Sequence, residues 1–119
     1  MSESAINNDL RELHGFLVAR VSALVERLAE AATIDEVRMI QHEITELNHR
    51  VTIAGNLLFT QQTANIARAM NKVREAKREI EAATEEVGEL TRFLKAMSKF
   101  LALVDRVIDT AKLLTPLGA

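Results

Sequence analysis

The sequence predicts an all-α protein, an antiparallel helical bundle of three or four long heptad-patterned helices. Three observations carry that expectation. Apolar residues recur at steps of three or four without exception along Val73, Ala76, Ile80, Ala83, Val87, Leu90, Leu94, Met97, Leu101, Val104, Ile108 and Ala111. A second run, Val37, Ile40, Ile44, Leu47, Val51, Ala54 and Leu58, keeps the same rhythm. Such spacing draws one apolar line along one side of a helix and asks for another helix to cover it. Residues that turn a chain are scarce, with four Gly and one Pro, whereas a β-rich fold of this length needs many turns. Ala, Leu, Glu, Arg and Lys, all good helix formers, fill the chain instead.

The 119 residues suffice for one domain with a real core. That domain is expected over about 9–114, between a disordered N-terminus at 1–8 and a C-terminal tail at 115–119. Asp9, with Glu12 three residues on, reads as the cap of a first helix, whose seam is Leu10, His14, Leu17, Val21, Leu24, Leu28 and Ala31. Thr33 followed by Glu36 is a capping box, and Asp35 adds negative charge to the first turn of a second helix. The short gap before Thr33 allows only a tight reversal, so these two helices are expected antiparallel.

After Leu58 the register slips by one residue before it resumes at Ile66. A continuous helix would swing its apolar line by about 100° there. Thr60 or Thr63 can cap a new helix at that point. Thr84, Glu85 and Glu86 read as the cap and acidic first turn of a final helix, with Gly88 weakening a continuous one. The rhythm nonetheless crosses Gly88 unbroken. Two arrangements therefore fit: helices at about 9–32, 34–59, 63–84 and 86–114, or later segments fused into a longer coiled-coil helix. Pro116 ends the last helix in either case.

The apolar stripes differ in width. Polar residues flank the second seam (Glu36, Glu43 and Arg50; Gln41 and Asn48) and the third (Lys72, Glu79 and Glu86; Lys77 and Thr84). These two helices read as covering one partner each. The final helix carries an additional line, Phe93, Phe100, Val107 and Leu114, and the first carries Val18 and Val25 beside its seam, with Leu13 and Phe16 further round. Those six residues, Phe93, Phe100, Val107, Leu114, Val18 and Val25, are the expected partner-binding surface, because a long exposed apolar strip exceeds what soluble monomers leave uncovered. Pairing with a second copy is the first expectation for such a surface.

Composition limits the chemistry. The chain has no Cys, Trp or Tyr, no glycine-rich phosphate loop and no paired carboxylates on an apolar face. No catalytic residue, cofactor or small-molecule substrate is expected. His42, Glu46 and His49 share one helical face with carboxylate–histidine spacing, but that face lies opposite the seam and no second such motif converges on it. No metal site is expected. His14 sits on the first seam and is expected near His49 to Thr52 at the open end of a hairpin. Gln61, Gln62 and Asn65 read either as a buried polar layer or as loop.

Net charge is −2, which does not suggest a nucleic-acid partner. Residues 1–65 hold five Arg/Lys against nine Asp/Glu, and residues 66–119 hold ten against eight, so −4 and +2 sum to the total. The cluster Arg68, Lys72, Arg74, Lys77 and Arg78 is interleaved with Glu75, Glu79 and Glu81 and is expected to pair along its own helix. No long apolar run suggests a transmembrane span and no signal peptide is seen, so a cytoplasmic location is expected. The function expected is non-enzymatic: a protein acting through protein–protein contacts, in an adaptor, chaperone, toxin-neutralising or structural role, and self-associating. The alternative is a membrane-surface protein acting through an amphipathic C-terminal helix with Lys95, Lys99 and Lys112 near its apolar face.

Overall fold

A computed structural model describes residues 6–114. It contains four helices: α1 (Asn8–Leu28), α2 (Ile34–Asn56), α3 (Ala64–Glu85) and α4 (Leu90–Lys112). The all-α bundle predicted from the rhythm is what forms, and the later segments do not fuse. The expected tail at 115–119, Pro116 and residues 1–5 lie outside the described residues.

Local chemistry explains most boundaries. Thr33 caps α2, its Oγ1 accepting from the Glu36 amide at 3.1 Å. Glu36 completes a variant of the expected box by accepting from the Ala32 amide at 2.9 Å. Thr63, rather than Thr60, caps α3, accepting from the Ile66 amide at 3.2 Å. The register slip is thus a true break.

Two expected caps are corrected. Asn7, not Asp9, caps α1: its Oδ1 accepts from the Leu10 amide at 3.1 Å. Its own amide donates to the Leu58 carbonyl at 2.7 Å, and its side chain donates to the Thr60 carbonyl at 3.0 Å. The ordered fold therefore begins within the stretch expected to be disordered. Thr84 does not start α4 either. It lies buried inside α3, its hydroxyl donating to the Ile80 carbonyl at 2.8 Å, which satisfies it where no water reaches. The final helix starts at Leu90 with Glu89 in the cap position and no side-chain cap.

Gln61 and Gln62 are exposed loop residues and Asn65 an exposed residue at the start of α3, so they form no buried polar layer. Gln62 donates to Asp9 at 2.6 Å.

The helices pack as two antiparallel hairpins, α1–α2 and α3–α4. The hairpins meet with α1 beside α3 and α2 beside α4. Ion pairs give the directions. Along α1 and α3 the partners rise together in number, Glu12 with Arg74, Arg20 with Glu81 and Arg27 with Glu85, so these helices run parallel. Glu79 with Lys99 and Glu86 with Arg92 make α3 and α4 antiparallel, and because α2 reverses α1, it runs parallel to α4, which it meets at Arg50 and Asp105. Helices α2 and α3 therefore stand diagonally. Their seven-residue connection, 57–63, crosses one end of the bundle, well within its reach of roughly 23 Å across a diagonal of about 13 Å.

The core is aliphatic with two aromatic anchors, Phe93 and Phe100. Phe16 of α1 meets Phe100 of α4 edge to face, with ring centroids 5.4 Å apart, so the contact bridges the diagonal. The predicted widths are reversed at two helices. Helix α3 is broadly buried along Ile66, Ala69, Met70, Val73, Ala76, Ile80 and Ala83, while α1 buries only Leu10, Leu13, Leu17 and Leu24. Beyond the predicted seam, whose Ala76 and Ala83 are buried, α3 also buries Ala69, Met70 and Thr84, because α1 and α4 both pack against it. No helix among the described residues is long and apolar enough to cross a membrane.

Two substitutions test this account by chemical denaturation. Thr63→Ala should cost about 1 kcal/mol by removing the α3 cap, and an unchanged midpoint would show that the cap is not needed. Gly15 lies mid-helix and exposed, with nothing within 4 Å of an added Cβ. Gly15→Ala should therefore gain roughly 0.5–1 kcal/mol, and a loss of stability would overturn the helical placement of Gly15.

Candidate functional site

The six residues expected to bind a partner are not brought together. Phe93, Phe100 and Val107 are 0–1% exposed inside the protein's own core, and that expectation is corrected for them. They are buried because α4 is covered by both α2 and α3. Leu114, Val18 and Val25 are exposed at 42%, 42% and 52%. Leu114 follows the end of α4, diagonally across from α1, so it does not join the two valines.

Val18 and Val25 lie on the outer face of α1. Gly15, Ser22 and Ala29 are also exposed there, and the five positions follow one another at steps of three and four. This is a second rhythm, parallel to the buried one and turned away from it. Gly15, Ser22 and Ala29 are small, so Val18 and Val25 stand out from this face.

On another side of α1 a cavity of about 270 Å³ opens between α1 and α3, lined by Glu12, Phe16, Ala19, Arg20, Arg74, Lys77 and Glu81. The Arg20 guanidinium carbon and the Lys77 ammonium each stand 5.7 Å from the centre of the Phe16 ring, within the range of cation–π attraction. Arg74 closes one end. Its Nε sits 3.1 Å from both oxygens of Glu12, and its Nη2 lies 2.6 Å from Asp9. These carboxylates hold the Arg74 guanidinium far above its ordinary pKa, chiefly through the Glu12 hydrogen bonds. The sequence expectation that the basic cluster pairs along its own helix is corrected for Arg74, whose acidic partners lie on α1, although Arg74 also donates to Asn71 on α3. Only the i, i+4 placement of Phe16 and Arg20 hinted at this cavity.

Between α2 and α4 the polar line flanking the second seam is partly buried, with Glu43 buried and Arg50 half-buried. Arg50 binds Asp105 through two parallel hydrogen bonds of 2.7 and 2.9 Å. It also donates to the Glu46 carbonyl at 2.9 Å and carboxylate at 3.1 Å. Glu46 is therefore engaged by Arg50, while His42 and His49 are exposed. Among the described residues no three His, Asp or Glu side chains are grouped to hold a metal ion. His14 packs beside Gly55, nearer the end of α2 than expected, its ring atoms 3.6 Å from where a Cβ on Gly55 would stand.

Glu43 lies one heptad before Arg50 and so looks the same way, toward α4. It is only 7% exposed, and its Oε1 has no hydrogen-bond partner. Burial raises its pKa above the ordinary value of 4.5, with Glu46 adding to the rise and His42 and Arg50 opposing it. The folded state thus favours the protonated acid. This contribution is fully present below pH 4.5 and is lost as pH rises through the folded value. Glu43→Gln removes the titration with little change of shape. The variant should gain on the parent as pH rises from 4.5 to 8, because the parent alone loses the contribution of its protonated acid. Urea unfolding across that range measures it, and a difference independent of pH would show that Glu43 is solvated in the folded state.

Comparison with protein-family models, curated proteins and solved structures finds no match.

Proposed function

We propose that the protein is a non-enzymatic helical bundle that works through protein–protein contact, and that the outer face of α1 is the surface it uses. The observation that carries this reading is the exposed line Gly15, Val18, Ser22, Val25 and Ala29. Core formation does not explain it, because α1 already covers α2 and α3 with Leu10, Leu13, Leu17 and Leu24. An apolar line with small residues at heptad spacing suits a partner helix. A second copy of this chain supplies such a helix directly, through a two-fold pairing of α1 with α1. Adaptor, chaperone, toxin-neutralising and structural roles all use such a surface.

The membrane-surface reading has less to rest on. The apolar line of α4, from Phe93 through Met97, Phe100, Val104, Val107, Ile108 and Ala111, is buried against the other helices. Lipid would have to open the bundle to reach it.

Light scattering and sedimentation over a range of concentrations test the proposal. The parent should associate, and Val18→Glu with Val25→Glu should return it to monomers while leaving helical content and thermal midpoint nearly unchanged, since surface substitutions usually alter stability by about 0.5 kcal/mol or less. Phe100→Glu, in contrast, should unfold the protein because that ring is 1% exposed. A parent that stays monomeric at every concentration, or a double variant that associates as before, removes α1 as the self-association surface.

A further inference from the structure

The cavity between α1 and α3 is lined by two cations, Arg20 and Lys77, that make no hydrogen bond to a carboxylate. Arg20 is mostly buried, its side chain 13% exposed, yet its Nε finds no hydrogen-bond partner. The nearest carboxylate, Glu81, stands 3.9 Å from Arg20 Nη2, beyond hydrogen-bond distance. Lys77 reaches over Phe16 from α3, and no carboxylate among the described residues lies within ion-pair distance of its ammonium. Arg74 does not share this condition, since Asp9 and Glu12 already neutralise it. The Arg20 Nε is closed to solvent, so the Arg20 Nη groups and the exposed Lys77 ammonium are the donors open to a ligand, and two cations drawn to one ring raise the local positive potential.

We propose that this cavity binds a small organic monocarboxylate with an apolar body, the carboxylate meeting Lys77 and Arg20 beside the Phe16 ring. Each part of that description has a physical reason. Arg20 meets Glu81 only as a 3.9 Å ion pair and Lys77 has no acidic partner among the described residues, so a ligand with a negatively charged acceptor supplies the hydrogen bonds both lack. Glu12 and Glu81 stand at the rim and oppose a multiply charged anion such as phosphate, which favours a single charge. Phe16 and Ala19 give the wall an apolar portion for the body of the ligand. A volume of about 270 Å³ lies just below the usual range for drug-sized ligands, so a compact acid fits. The inference is independent of association through the outer face of α1.

Benzoate is the probe, titrated into the full-length, isotopically labelled protein at constant ionic strength, with amide shifts as readout. Binding at the cavity should move signals within residues 12–20 and 74–81 along saturable curves. Lys77→Met keeps the side-chain bulk at an exposed position and should weaken benzoate about tenfold, the loss of one charge-assisted hydrogen bond. Lys95→Met, on exposed α4 surface, should leave the affinity unchanged. Inorganic phosphate at the same ionic strength should bind more weakly than benzoate. Any of four results overturns the proposal: no saturable shift in those segments, full affinity in Lys77→Met, an equal loss in Lys95→Met, or phosphate binding as tightly as benzoate.

Discussion

Each hairpin of this protein has an apolar face that only the other hairpin can cover. The core holds just two fully buried aromatic rings, so burial must come from many aliphatic side chains spread along helices of 21–23 residues. At 1.5 Å per residue those helices are about 32–35 Å long, and a hairpin alone would leave that length of seam in water. Docking the hairpins side by side covers both seams together. It also places α1 parallel to α3 and α2 parallel to α4, with the 57–63 connection laid across one end. Asn7 ties the start of α1 to that connection through Leu58 and Thr60, so a short polar side chain closes the end where the two hairpins are joined.

Polar groups at the hairpin interface meet two fates. Arg50 is satisfied by Asp105 and Glu46, with geometry that fixes how far α2 can slide along α4. A planar guanidinium on a planar carboxylate tolerates little displacement, so this pair sets register more than stability. Glu43, one heptad away, has no such partner for Oε1 and is carried into the interface because its neighbours are needed there. The charge imbalance between the two halves does not drive their docking. Arg20, Arg27 and Arg50 come from the acidic half and meet acids of the basic half, and among the described residues only Arg74 pairs with acids of the other half in the opposite sense. Exposed pairs of this kind contribute at most about 1 kcal/mol each, so the aliphatic seams supply the stability and the charges supply alignment.

The fold class was legible because a three-four spacing has one physical meaning over many turns. The break before α3 was legible too, since a one-residue slip moves an apolar line off its neighbour. Thr33 and Thr63 announced their helices because a hydroxyl before a helical run has a specific job. What could not be read was which neighbour each flank would meet. Glu43 and Arg50 look like solvated flanking positions until α4 is placed beside them. Phe93, Phe100 and Val107 look like spare surface until α3 and α2 both claim α4. Met70 and Thr84 lie beside the α3 seam and look dispensable until α1 and α4 both pack against that helix. Asp9 looked like a cap, but Asn7 could take that place by also bonding a connection some fifty residues away, a long-range fact that no local motif contains.

Helix α1 is where the remaining chemistry concentrates, and its geometry separates two surfaces on one element. At about 100° per residue, Val18 lies roughly 200° around the helix from Phe16. Arg20, one turn beyond Phe16, faces the cavity with it, while Val25 lines up with Val18. The α3-side cavity and the outer line of small and apolar residues therefore point in different directions. A helix docking on Val18 and Val25 would not cover Phe16, and a carboxylate held by Lys77 and Arg20 would not touch the valines. Communication between them would have to pass through the rotation or translation of α1 itself. Phe16 is placed to oppose such movement, because its ring is held edge to face against Phe100 across the core, and Arg74 restrains the start of α1 through Asp9 and Glu12. The two faces are consequently separate in geometry on one helix, and loss of one leaves the physical basis of the other intact.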